Sequence, residues 1–91
     1  MQRILWTRRA QGDLRELITY IAQRNPSAAR RMRDLIESSV LPLAQYPDMY
    51  RTGRVAGTRE IVVHPNYIVV YRATATAVEI LRVLHARQQY P

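Results

Sequence analysis

The sequence predicts an α+β domain in which a helical hairpin packs on one face of a small antiparallel sheet, with elements in the order β-α-α-β-β-β. Two patterns support this fold class. Apolar residues recur at helical spacing in the first half of the chain, and three runs of apolar and β-branched residues fill the last third. Because 91 residues suffice for only one core, we expect a single domain over residues 1–91.

The first predicted elements are a short strand and two helices. Residues 3–6 form an apolar-rich run that can join the sheet, and Thr7 offers an N-cap hydroxyl for the first helix. A second helix starts near Pro26, carries an apolar face that includes Ile36, and should kink or end at Pro42, with a possible final turn beyond it. The short break between the helices predicts an antiparallel hairpin.

Three strands are predicted at residues 58–64, 67–73 and 78–85. Pro65 and Asn66 mark the first turn, and residues 74–77 form the second connection. Residues 46–56, which contain Pro47 and Gly53, are interpreted as a linker that crosses the surface. The strands should therefore form an antiparallel meander that the helices cover.

Several classes of site are excluded by the residue types present. The chain has no cysteine, which rules out a disulfide framework and a thiolate zinc site. His64 and His85 lack metal-ligand spacing, and phosphate-loop and nucleophile motifs are absent, so we expect no metal and no cofactor. Apolar runs are only strand-sized and no signal-peptide pattern occurs, which favours a cytoplasmic protein without a membrane partner.

Charge is the most informative feature of the composition. Fourteen basic residues, all arginine, against seven acidic ones give a net charge of +7, which is typical of a protein with a nucleic-acid or acidic partner. A GC-rich genome also accounts for arginine in place of lysine. Asp13 and Glu16 are predicted to form surface ion pairs on the first helix. The candidates for binding an acidic partner lie on the outer helix faces: Arg8, Arg9, Arg15, Arg30, Arg31 and Arg33.

A polar cluster follows the last predicted strand and is the candidate for chemistry. In it, a histidine that titrates near neutrality stands beside cationic and hydroxyl donors, a set that could cleave RNA without a metal. A base would take the 2′-hydroxyl proton, a cation would stabilise the phosphorane, and an acid would protonate the leaving oxygen. A basic module that binds nucleic acid non-specifically is a further alternative. The cluster comprises Arg82, His85, Arg87, Gln88, Gln89 and Tyr90.

The chain resembles the RelE/ParE superfamily of toxins from bacterial type II toxin-antitoxin systems. The resemblance rests on the first helix, with Ala10, Asp13, Leu14, Tyr20 and Ile21, and on the tail sequence VEILRVLHARQQYP that follows a YIVVYR strand. It implies a small basic toxin that a cognate antitoxin wraps and neutralises in a hetero-oligomeric complex.

The superfamily divides by target, and this chain is more similar to the ParE-like branch. RelE-like members cut mRNA on the ribosome and carry an arginine directly after the tyrosine that opens the third strand, where this chain has Ile68 after Tyr67. ParE-like members lack that catalytic set and poison DNA gyrase by binding it. The resemblance thus implies no catalytic residue and a target- or phosphate-binding set of Arg59, Arg82, Arg87 and Tyr90. The alternative, a ribosome-dependent endoribonuclease, would use Arg82, His85, Arg87 and Tyr90.

Overall fold

The computed structural model describes residues 1–90, and Pro91, the end of the predicted domain, lies outside the described part. Two helices pack against one five-stranded sheet, so the predicted α+β class is confirmed. In chain order the elements are β1 Arg3–Trp6, α1 Arg8–Ala22, α2 Pro26–Val40, a 3₁₀ turn Leu41–Ala44, β2 Arg51–Thr52, β3 Arg59–His64, β4 Tyr67–Ala73 and β5 Ala77–His85.

The sheet has the strand order β1-β5-β4-β3-β2 and is mixed. Strands β3, β4 and β5 form the predicted antiparallel meander, whereas β1 lies parallel to β5, with Arg3 opposite Ala77 and Trp6 opposite Ile80. A parallel pair needs a long crossover connection, and here the whole chain between β1 and β5 supplies it. The two-residue strand β2 lies inside the predicted linker and pairs with the start of β3. Two residues are too few to produce a recognisable alternation.

The helix ends follow from the residues that the sequence places there. The Thr7 side chain accepts a hydrogen bond from the Ala10 backbone N–H at 3.1 Å, which confirms the predicted cap. Asn25 caps α2 by accepting from the Ala28 N–H at 3.0 Å, with Pro26 in the first turn. Helix α2 ends just before Pro42, and the chain continues in the 3₁₀ turn. Among residues 1–90, no helix is long and apolar enough to cross a membrane.

The main core lies between the helical hairpin and the sheet. Ala10 and Leu14 of α1 and Ile36 of α2 pack against the inner residues of β3, β4 and β5. Tyr71 of β4 is fully buried there, and its hydroxyl donates to the Pro47 carbonyl at 2.8 Å. Burial raises the pKa of the Tyr71 phenol, so the group stays a neutral donor that ties the connection before β2 to the sheet.

A smaller apolar cluster covers the opposite face of the sheet. Ile68 and Val70 of β4 and Leu84 of β5 are buried in it, and Leu81 and Tyr90 pack against them. The C-terminal segment therefore returns across the face that the helices leave uncovered. Both faces of the central strand β4 are consequently buried.

Ile36→Ala should destabilise the domain by about 2–5 kcal/mol, because it empties a fully buried position in a close-packed core. Leu35→Ala is the matched control, because Leu35 is the neighbour of Ile36 on α2 and is 42% exposed. Urea unfolding monitored by circular dichroism would measure both. Equal midpoints for the two variants would contradict the assignment of the buried face.

Candidate functional site

The candidate site begins where strand β5 extends beyond the end of its neighbour β1. Strand β1 pairs with β5 only as far as Ile80, although β5 continues to His85. Because α1 starts directly after β1, its first residues run along the edge that β1 leaves open. The Thr7 hydroxyl donates to the Ile80 carbonyl at 2.9 Å, and an Asp13 carboxylate oxygen accepts from the Val83 N–H at 3.0 Å. Polar side chains of the helix thus replace strand pairing at this edge.

Asp13 also holds Arg82 in a two-point ion pair. Arg82 Nε lies 2.8 Å from Asp13 Oδ2, and Arg82 Nη2 lies 3.3 Å from Oδ1. The exposed fractions of the two side chains are only 17% and 13%. The hydrogen bond that Arg82 donates to Asp13 raises the pKa of Arg82 further above its ordinary value. The guanidinium is therefore charged, fixed in orientation and neutralised by its partner.

The Tyr90 ring lies beside the same guanidinium. The Arg82 Cζ atom is 5.8 Å from the centroid of the Tyr90 ring, within the range of a cation–π contact. The ring also packs against the apolar cluster formed by Ile68, Val70 and Leu84. Tyr90 thus packs on the sheet and contacts Arg82, which in turn binds Asp13 of α1.

The tail, defined here as residues 86–90, is attached to the body of the domain. The Ala86 N–H donates to the Asn66 carbonyl at 2.7 Å, which continues the pairing of β5 with the turn before β4. Arg54 Nη1 donates to the Gln88 carbonyl at 3.2 Å. Arg87 is exposed between these points. The backbone of the tail is therefore hydrogen-bonded on both sides of Arg87, while the Arg87 side chain stays exposed.

His85 belongs to a row of three aromatic rings across the end of the sheet. Its ring meets Tyr67 edge-on, with centroids 5.6 Å apart, and Tyr67 lies 5.6 Å from His64. His85 Nδ1 accepts from the Arg87 N–H at 3.1 Å, and His64 Nδ1 accepts from the Asn66 N–H at 3.0 Å. A proton on Nδ1 would break these bonds, so each neutral ring carries its proton on Nε2.

A cleft of about 660 Å³ separates α1 from this end of the sheet. Tyr67 and His85 line one wall. The charged side chains that line it are two arginines and two carboxylates, Arg9, Arg82, Asp13 and Glu16. The formal charges cancel, so the cleft offers aromatic faces and hydrogen-bond donors without a net positive charge.

The sequence-predicted site residues fall into separate groups. Arg82 and Tyr90 are in contact, and Arg87 lies on the tail, where its side chain is exposed. Arg59 is engaged elsewhere: its Nη1 donates to the Tyr50 carbonyl at 2.7 Å, and its Nε lies 3.6 Å from Asp48 Oδ1. The guanidinium of Arg59 therefore holds the connection before β2.

The six predicted partner-binding arginines are all exposed on the helical hairpin. Arg15 of α1 and Arg33 of α2 line a common groove of about 380 Å³ between the helices. Trp6 and Leu14 contribute apolar surface to this groove. The hairpin thus combines positive charge with a groove of mixed polar and apolar lining. The full set is Arg8, Arg9, Arg15, Arg30, Arg31 and Arg33.

Two carboxylates were missed as site residues. Asp13 was expected on a solvated helix face, and this expectation is wrong because its partner, Arg82, is 69 positions away in sequence. Glu60 of β3 is 3% exposed and pairs with Arg51 and Arg54. The only sequence signal for Glu60 was a charged residue at the start of an apolar strand.

The fold and the site together define a small basic α+β protein with an arginine-rich hairpin and an anchored C-terminal tail. A family model described as the ParE toxin of type II toxin-antitoxin systems, parDE, matches residues 4–90. The chain belongs to this family, and the predicted membership of the RelE/ParE superfamily is confirmed. It is therefore a toxin of the type II class.

Individual relatives agree with this assignment. Putative toxin Y4kP of Sinorhizobium fredii is 45% identical over 91 residues, covering 99% of this chain and 94% of the relative. Toxin RelE2 of Caulobacter vibrioides is 38% identical, covering 94% of this chain and 97% of the relative. Among solved structures, the chromosomal ParDE system from P. aeruginosa matches with a TM-score of 0.84 at 25% identity, covering 93% of this chain and 96% of that chain. E. coli YafQ, at 21% identity and a TM-score of 0.50 with 94% of each chain covered, shares the fold.

Asp13→Ala should destabilise the protein by about 3–5 kcal/mol, because it leaves Arg82 largely buried without a counter-charge. The change also removes the acceptor for the Val83 N–H. Glu16→Ala is the control, since Glu16 is an exposed acid one turn further along α1. Chemical denaturation would compare the two, and wild-type stability in Asp13→Ala would refute a structural role for the pair.

Proposed function

We propose that this toxin inhibits DNA gyrase by binding to it in the cytoplasm, with no catalytic step of its own. The observation that carries the proposal is the pairing of Arg82 with Asp13. A ribonuclease needs a cation that can meet charge developing on the phosphorane, and a guanidinium already bound at two points to a carboxylate is poorly suited to that role. Membership of the ParE toxin family supports the same conclusion.

The surroundings of Tyr90 also favour binding over catalysis. At the position after Tyr67, where the RelE-like branch carries an arginine, this chain has Ile68, which is 2% exposed. Ile68, Val70 and Leu84 form an apolar support under the Tyr90 ring. Such a support holds a tail in place, but it supplies no charge to a reacting phosphate.

In this proposal the tail is the surface that contacts gyrase. Arg87 offers an exposed guanidinium, which suits the recognition of carboxylates on a protein partner. His85 contributes an exposed ring at the rim of the cleft. Most contacts of this kind contribute little individually, so single substitutions should weaken binding in a graded way.

The ribosome-dependent endoribonuclease is the competing function, and two observations favour it. Three relatives carry the name RelE toxin. His85 and Arg82 also line the same cleft, which places an imidazole and a cation on one surface. The two functions differ in what the Tyr90 hydroxyl and the His85 imidazole must do.

His85→Ala and Tyr90→Phe should each change gyrase inhibition by less than about fivefold, because most interface side chains contribute under ~1 kcal/mol. Arg87→Ala should weaken inhibition more, by removing an exposed charge from the contacting tail. The measurement is a supercoiling assay with each purified variant, run beside an assay of mRNA integrity during translation. Arg72→Ala is the matched arginine control, because Arg72 is exposed on β4 and pairs with Glu79.

Intact transcripts together with inhibited supercoiling are the expected result for the wild type. A ribonuclease would behave differently, because losing a proton-transfer group slows the reaction by roughly 10²- to 10⁴-fold. Codon-phased mRNA cuts that disappear in Tyr90→Phe or His85→Ala would overturn the gyrase proposal and support the endoribonuclease.

We also propose that a cognate antitoxin binds the helical hairpin through an acidic amphipathic segment, forming a hetero-oligomeric complex. The six exposed arginines supply the positive charge, and the groove between α1 and α2 supplies apolar surface. The P. aeruginosa structure is a ParDE system, which supports an antitoxin partner for this chain as well. Opposite charges on the two proteins would accelerate their encounter.

The association rate of toxin and antitoxin should fall at least ~10-fold between low and physiological salt, because screening removes electrostatic steering. Arg15→Ala combined with Arg33→Ala should reduce the low-salt rate and flatten its salt dependence. Arg3→Ala is the control, since Arg3 is exposed on β1, away from the hairpin groove. Stopped-flow measurements would decide, and a rate independent of salt would exclude charge as the driving force.

A further inference from the structure

Beyond the backbone hydrogen bond of Ala86, two arginine side chains contact the tail, and a carboxylate binds each of them. The first is Arg82, which Asp13 binds and which contacts the Tyr90 ring. The second is Arg54, whose Nη1 donates to the Gln88 carbonyl at 3.2 Å. No role follows for Arg54 from the family resemblance or from the charge pattern of the sequence.

Glu60 fixes Arg54 through both its backbone and its side chain. Glu60 Oε2 accepts from the Arg54 N–H at 3.1 Å and lies 3.7 Å from Arg54 Nε. The second oxygen, Oε1, accepts from Arg51 Nη2 at 3.1 Å. A carboxylate that is 3% exposed needs such partners, because an unpaired buried charge is strongly unfavourable. The loop that carries Arg54 is therefore locked to β3.

The two arginine contacts lie on either side of one residue of β4. Val70 is the cross-strand neighbour of Glu60 on β3 and of Arg82 on β5. Val70 also belongs to the apolar cluster on which Tyr90 packs. The tail thus lies over Glu60, Val70 and Arg82. It contacts the guanidinium groups of Arg54 and Arg82 and packs on the apolar cluster between them.

We propose that Arg54 is a positioning residue that holds the tail in the conformation that the target binds. The role in target binding rests on the proposed function, in which the tail contacts gyrase. A tail held before binding loses less conformational freedom in the complex, and the complex is more stable for that reason. Arg51 shares the carboxylate with Arg54, and among the contacts of residues 1–90 only Arg54 of this pair bonds the tail.

This division between the two arginines provides the test. Arg54→Ala removes the tail contact, whereas Arg51→Ala removes a partner of the same carboxylate and leaves the tail contact in place. Arg54→Lys keeps a positive charge beside Glu60 but loses the planar guanidinium. It therefore distinguishes loss of the tail contact from unfolding caused by an unpaired Glu60. Full-length variants would be purified, checked for melting temperature and measured by ¹⁵N relaxation at the amides of residues 88–90.

Arg54→Ala and Arg54→Lys should lower the heteronuclear NOE of the tail amides and raise the toxin concentration needed for half-maximal gyrase inhibition about tenfold, as expected for loss of one charge-assisted hydrogen bond. Arg51→Ala should leave both quantities at wild-type values. Unchanged tail relaxation in the two Arg54 variants would overturn the positioning role, as would a loosened tail with undiminished inhibition. Wild-type toxin that fails to inhibit gyrase would instead overturn the proposed function, and the relaxation data would still decide whether Arg54 holds the tail.

Discussion

The ion pair between Asp13 and Arg82 links three parts of this protein, the first helix, the last strand and the tail. It exists because β5 extends beyond β1, which leaves backbone groups that a helix residue must satisfy. Asp13 meets this need at Val83 and binds Arg82 with the same carboxylate. Arg82 in turn contacts Tyr90. The first helix, the last strand and the tail are thereby held in one arrangement.

The chemical consequence is that the groups that hold the tail are already paired. Arg82 is neutralised by Asp13, Arg54 is bound to Glu60, and the Tyr90 ring lies on an apolar cluster. Enzymes that transfer protons or stabilise anions keep such groups available to the substrate. The pairing of Arg82 and Arg54, with Arg87 exposed on the tail, is the reason we propose that this surface recognises another protein.

Local sequence patterns predicted the elements, and long-range pairs decided the site. Thr7 and Pro26 act within one helical turn, so the residues themselves indicate where the helices begin. Strand β2 was not predicted, because two residues are too few to show the alternation of polar and apolar residues that marks a strand. The partner of Asp13 could not be found from spacing, since the fold alone brings α1 beside the unpaired end of β5. For the same reason Arg59 was a candidate by type but proved to serve the connection before β2.

The distribution of arginines separates two surfaces that the net charge of +7 does not distinguish. On strands β2 to β5 and in the loop between β2 and β3, five arginines pair with carboxylates: Arg51, Arg54, Arg59, Arg72 and Arg82. On the helical hairpin, the six candidate arginines point to solvent. The hairpin surface also carries three exposed carboxylates, Glu16, Asp34 and Glu37, but the six candidate arginines outnumber them two to one. An excess of positive charge therefore lies where we propose that an acidic antitoxin binds, while the paired arginines support the tail proposed to contact the target.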